Sequence, residues 1–305
     1  MAINLASKAD PKVVERFKIG SCTEGIFSTD YNWTGVRTVR VYSVDNLPLV
    51  DYSLSNISAE ADATTGYTGK WTSTASRFGD LYEVGDTYQE MTVSQDKAFN
   101  GTIDKGNNTS QLMIKAASKV LRRETDEILI PHVDKYRLGK LATGAGFIRE
   151  LASATTKSNI VEQIMKANAI MSDALVPDTG RVLYISYTDA VKLKLADQVV
   201  GIDKLGEQTI VNGVMGKVDK CQVRLVPSTY LPTGAVFMIV SKNCALAPKK
   251  IETFRVIQDS PLLDGHIVQG RLMHDCFVLN TKKNGILVAY AAGTSGITGM
   301  TGEDI

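Results

Sequence analysis

The sequence predicts an α+β chain built around one long helix, with an extended β segment before it and a mixed α/β region after it. Three observations carry this. Residues 36–44 alternate between apolar and polar side chains and are rich in β-branched residues, the signature of a strand with one buried face. Residues 59–97 are dominated by Thr, Tyr and Gly and hold too few apolar residues to build a core. Apolar residues then recur at helical spacing from Leu112 to Leu141, with charges between them.

In chain order, Val13, Val14 and Phe17 stand among charges at the spacing of a short helix or an arm. After the strand at 36–44, the pairs Gly79-Asp80 and Gly85-Asp86 signal turns and residues 91–94 alternate again, so the excursion bears hairpins. A segment that long with no core of its own needs a partner surface or stays mobile. Asn107, Asn108, Thr109 and Ser110 are good N-cap residues, and the helix from Ser110 runs to the stop at Gly144-Ala145-Gly146. At 1.5 Å per residue it spans about 40–45 Å. Pro131 removes a backbone donor and clashes with the preceding turn, which predicts a bend there. A second helix follows at residues 158–175, then a buried strand at 181–186, a short helix at 189–196 and a glycine-rich loop at 201–218. Strands are expected at 222–226, 235–241, 251–256 and 265–280, the last continuing towards 286–290, and a Gly/Thr-rich tail begins at Ala291.

The 34 Lys+Arg nearly cancel the 33 Asp+Glu. A dedicated nucleic-acid binder would carry a basic excess, because phosphate neutralisation supplies most of its affinity. A balanced surface suits a protein that packs against copies of itself. Cys22, Cys221, Cys244 and Cys276 form no CxxC pair and no disulfide framework, so a reducing cytoplasm is the expected place of synthesis. The N-terminus lacks the apolar core of a signal peptide, and no apolar run is long enough to span a membrane.

Catalytic signatures are scarce. His274-Asp275-Cys276 could pair a base with a thiol, since His274 and Cys276 would share a strand face, but a packed strand is the better reading. His132 sits beside Asp134 on a charged helix face, and the three histidines show no metal-ligand spacing. Gly144-Ala145-Gly146 follows a helix rather than a strand and lacks the third glycine of a dinucleotide loop. No catalytic, cofactor-binding or metal residue is therefore predicted. The candidates are contact residues. Arg122, Arg123, Glu124, Asp126 and Glu127 read equally as a solvated helix face or an inter-subunit charge network. Trp71, Phe78, Tyr82 and Tyr88 could stack nucleic-acid bases, but Asp80, Glu83, Asp86, Glu90 and Asp96 form an acidic strip that repels phosphate. With Arg77 they fit better as anchors on a protein partner.

The order of arm, strand, excursion, long helix, α/β region and terminal strands resembles the Hong Kong ninety-seven capsid fold of tailed phages. The resemblance rests on residues 104–108 leading into Arg122-Arg123-Glu124-Thr125-Asp126-Glu127 and Ile130-Pro131-His132-Val133-Asp134-Lys135-Tyr136-Arg137, on residues 226–232, and on residues 248–256 continuing through Gly270-Arg271 to residues 277–280. It implies an N-terminal arm and first strand (1–45), an extended β-hairpin loop lying over the adjacent subunit (46–107), a spine helix of the peripheral domain (108–149), a mixed α/β axial domain (150–247), and peripheral-domain strands with a tail (248–305). It also implies a non-enzymatic major capsid protein that forms pentamers and hexamers of an icosahedral virion. Such a shell encloses double-stranded DNA with non-specific contacts and uses separate scaffolding and portal proteins, with decoration proteins on some shells. Some members join subunits through a Lys–Asn isopeptide bond. Lys70 is the nearest lysine, but no asparagine or activating acid is identifiable, so no bond is expected. The alternatives are an encapsulin-like compartment of the same fold and, in a different class, an α/β enzyme with an unrecognised site.

Overall fold

The computed structural model describes residues 20–31, 33, 36–52, 57–59, 71–73, 83–110, 116–196, 216–258 and 264–294. The helix expected around Val13, Val14 and Phe17, the loop at 201–215 and the tail beyond Thr294 lie outside the described residues. Chain contacts define two units, one of residues 40–91 and one of the remainder.

The predicted alternation becomes β1, Thr38–Val44, with Val41 buried while Arg40, Tyr42 and Val44 are exposed. Within the smaller unit, β2 (Ile57–Ala59) pairs antiparallel with β3 (Trp71–Ser73). The strand β4, Asp86–Thr92, pairs with β1.

In the larger unit the next strand, β5, covers Gln95–Asp104 and leads into a short helix α1, Lys105–Ser110. Asp104 caps α1, its Oδ1 accepting the Asn107 N–H at 2.7 Å, and the long helix starts later than the Asn107–Ser110 caps suggest, at Ala117 after Ala116 in extended backbone. The main helix then runs as α2, Ala117–Glu124, a π-helical turn at Thr125–Leu129, and α3, Ile130–Thr143. Together they rise about 40 Å. The irregularity expected at Pro131 is the widened turn just before it, where the Ile130 N–H reaches back five residues to the Thr125 carbonyl. Widening relieves the clash a proline ring makes with the carbonyl four residues earlier. Gly144 ends the helix. Gly146 then lets the chain pass close to another backbone: its N–H donates to the Lys283 carbonyl at 2.8 Å, and a Cβ there would stand 2.6 Å from that carbonyl's carbon.

Beyond the helix come β6 (Phe147–Glu150), α4 (Ile160–Asp173), β7 (Arg181–Ser186), α5 (Tyr187–Lys194), β8 (Lys217–Val218), β9 (Cys221–Val226), β10 (Ala235–Ser241) and β11 (Ala245–Leu246). The chain ends with β12 (Lys249–Gln258), β13 (Gly265–His274), β14 (Phe277–Val278) and β15 (Ile286–Tyr290). Six strands form a mixed sheet in the order β6-β15-β10-β7-β9-β8. Every residue of β7 and β15 is buried, because helices cover both faces. On one side α4 and α5 pack Ile164, Met171 and Leu193 against Leu183, Phe237 and Leu287. On the other, α3 packs Leu138 and Leu141 against Val182, Met238 and Val288. Two expected boundaries therefore move. The all-apolar β15 needs cover on both faces and joins β6 in the α/β sheet rather than the terminal strands. Residues 95–104 belong not to the extended loop but to a three-stranded sheet, where β13 lies between β12 and β5.

In that sheet Gly270 faces Phe254 on one side and Phe99 on the other. The two rings stack above it, centroids 6.2 Å apart. A Cβ on Gly270 would lie 2.3 Å from Phe99, so glycine is what lets the rings meet.

Candidate subunit-contact surfaces

Of the aromatic candidates, Arg77, Phe78 and Tyr82 lie outside the described residues, and Trp71 is placed on β3 opposite Ala59. Tyr88 is on β4, exposed, and has company that the sequence reading missed. Its ring lies 6.0 Å from Tyr42, and the Arg40 guanidinium sits 5.2 Å above it while donating to Glu90 at 2.9 Å. The signal was present in the alternation of residues 38–44: the residues taken to be a polar face carry a tyrosine and a valine. The segment after β1 exposes more apolar surface at Leu47, Leu49 and Val50, with Leu49 fully exposed at 102%. Such runs are uncommon on a free monomer surface.

On the long helix, Arg122 is exposed and pairs with Asp126 one turn on at 3.6 Å, a contact of little energetic weight. Arg123, Glu124, Asp126 and Glu127 are half-buried rather than solvated. Glu124 lines a pocket of about 220 Å³ between the helix and the three-stranded sheet. Ile128, Leu129 and His132 form its helical wall, and Phe99, Phe254 and Leu272 form its floor.

His274, Asp275 and Cys276 do not form a catalytic set. His274 is fully buried, neither ring nitrogen has a hydrogen-bond partner, and it meets the rings of Tyr136 and His132 edge-on. Burial, helped by the nearby Arg137 and His132 charges, pushes its pKa down to about 4. Burial likewise pushes the Cys276 thiol up to about 12, so it is no nucleophile at neutral pH. Asp275 is the structural member. Its carboxylate accepts the Ser94 N–H and hydroxyl at 2.8 Å, the Tyr136 hydroxyl at 2.7 Å and the Cys276 N–H at 2.8 Å, joining the start of β5, the helix α3 and the turn after β13. A second buried carboxylate, Asp134, accepts the Ser21 hydroxyl, the Cys22 N–H and the Thr23 hydroxyl at 2.6–2.8 Å and pins the incoming chain to the same helix. Among the described residues no cluster of His, Cys, Asp or Glu could hold a metal ion, and no helix is long and apolar enough to cross a membrane.

The long helix packs against a three-stranded sheet at one end and a six-stranded α/β sheet at the other. The particular match comes from solved structures. A Mycobacterium phage Che8 structure superposes with a TM-score of 0.72 at 15% identity, covering 93% of this chain and 96% of that one. A capsid structure of the cyanophage P-SCSP1u gives 0.71 at 14%, covering 95% and 93%. The mature capsid of bacteriophage PhiM1 gives 0.70 at 10%, covering 96% and 93%. The chain therefore has the tailed-phage capsid fold. No protein-family model matches it, and no curated protein matches by sequence.

Proposed function

We propose that this chain is the major capsid protein of a tailed phage, assembling into pentamers and hexamers of an icosahedral head around double-stranded DNA. The observation that carries the reading is near-complete coverage in both directions: 95–96% of this chain corresponds to 93% of chains whose structures are capsids. Two features of the chain support it. The smaller unit exposes apolar side chains that a free subunit gains nothing by exposing. The buried carboxylates stiffen the long helix, Asp275 tying it to the start of β5 and Asp134 to the incoming chain at residues 21–23, as suits a subunit whose neighbours must find its surfaces in fixed places. A net charge of +1 fits contacts to DNA that are weak and non-specific. In this reading residues 1–45 are the arm, the segment between β1 and β4 is the loop that meets a neighbour, and Trp71, Arg77, Phe78, Tyr82 and Tyr88 anchor it. Arg122 and Asp126, with Arg123, Glu124 and Glu127, set register along the spine. Scaffolding, portal and decoration proteins are separate chains, synthesis is in the host cytoplasm, and the mature protein resides in the virion. No catalytic step is assigned. Sedimentation of the expressed chain tests this: fast-sedimenting particles of many copies are expected, and a subunit that stays monomeric with the products of its flanking genes present would overturn it.

A further inference from the structure

The strand β5 is an outer strand of its sheet, and one of its edges pairs with no strand among the described residues. It also supplies Lys97, Ala98 and Phe99 to the wall of the 220 Å³ pocket. Lys97, Phe99 and Gly101 lie on one face of the strand, the face that carries the Phe99–Phe254 stack. Above Gly101 a Cβ would meet nothing within 4 Å, so there is open space beside the pocket as well as in it.

The same chain carries a segment that fits this edge. Residues 45–51 read Asp-Asn-Leu-Pro-Leu-Val-Asp and form no strand or helix. Leu47 and Leu49 are exposed and, in an extended conformation, share a face with Asp51. Pro48 stands between them. When Leu47 and Leu49 turn their amides to a partner strand, the proline's missing N–H points away and costs nothing. The segment carries two acidic residues and no basic one, whereas Lys97 on β5 forms no ion pair among the described residues, the neighbouring Arg271 being held by Asp96 at 2.6 Å.

We propose that residues 46–51 of one copy add as a strand to the free edge of β5 of a second copy, antiparallel, with Leu49 over Phe99, Leu47 in the space above Gly101 and Asp51 beside Lys97. Main-chain hydrogen bonds supply the attachment, and Leu49 at the pocket with Leu47 in the space beside it fix its register. The contact is heterologous, since segment and edge are different surfaces, and a heterologous contact is the kind that closes rings. The proposal rests on the shell reading above and specifies one contact within it.

The test pairs Asp51→Cys with Lys97→Cys in the full chain. Directly opposed residues of an antiparallel pair stand within disulfide reach. Oxidation of assembled particles is expected to give a ladder of covalently joined chains on a non-reducing gel, absent from either single variant. Particles that form but give no ladder, or only an internal link within one chain, refute this contact and leave the shell reading standing. A wild-type chain that never associates overturns both. As a second arm, Lys97→Glu should abolish particles while leaving the circular dichroism spectrum unchanged, and Asp51→Lys in that background should restore them. Particles from Lys97→Glu at wild-type yield would also refute the contact.

Discussion

Replacing Asp275 with alanine tests the joint between the long helix and the three-stranded sheet. The carboxylate is buried and accepts four hydrogen bonds, from Ser94 twice, Tyr136 and the Cys276 amide. Ser94 is exposed, so its donors can find water when the acceptor is gone. The Tyr136 hydroxyl and the Cys276 N–H lie in the interior, and each buried donor left unpaired costs about 1–3 kcal/mol. Adding the lost charge-assisted bonds, Asp275→Ala should destabilise the unassembled subunit by about 3–5 kcal/mol. Tyr136→Phe removes one donor and leaves the carboxylate with its other three, so about 1.5–3 kcal/mol is expected for that variant. The double variant should cost less than the sum, because both changes break the same bond. Urea unfolding followed by tryptophan fluorescence is the assay, and Trp33, stacked on Phe277 with ring centroids 5.6 Å apart, reports from beside the turn. An Asp275→Ala subunit within about 0.5 kcal/mol of wild type would refute the argument.

Three further outcomes follow from the same geometry. His274 is buried neutral, with its pKa moved from 6.5 down to about 4; its contribution to stability is intact above pH 6.5 and is lost as pH falls from there towards 4, so His274→Leu should flatten the dependence of the urea midpoint on pH across that window, and an unchanged slope would contradict it. Gly270→Ala forces a Cβ into Phe99 and Phe254 and should lower stability by about 1–3 kcal/mol, with Phe99→Ala in the same chain recovering part of the loss in thermal melts. Asp219 and Lys220 both have positive φ, 45° and 65°, in the two-residue turn between β8 and β9, so Lys220→Gly should raise the melting temperature despite losing the exposed Lys220–Asp178 pair, a gain of about 0.5–1 kcal/mol.

Local features were legible in the sequence and long-range ones were not. The alternation of residues 38–44, the helical spacing from Ala117 to Leu141 and the disturbance at Pro131 each follow from side chains a few positions apart, although the long helix begins at Ala117 rather than at Ser110. The pairing of β5 with β13 joins residues such as Asp96 and Arg271, which form an ion pair at 2.6 Å, and no periodicity announces a partner so distant. The placement of β15 beside β6 had one readable clue, five consecutive apolar residues that demand cover on both faces. The structural role of Asp275 was hidden for a related reason: β13 ends at His274, and in the turn that follows the carboxylate meets Ser94 before β5 and Tyr136 on α3, residues far from it in the chain. Among the contact candidates, Tyr88 could be named from its composition, whereas Tyr42 and Arg40 needed the β1–β4 pairing to reveal them as its neighbours.

Electron microscopy of the expressed chain, alone and together with the products of the genes that flank its own, tests the central claim most directly. The account predicts closed shells or free rings, with class averages of five- and six-fold symmetry in which each subunit shows the long helix beneath its two sheets. A uniform population of monomers under both conditions would contradict it.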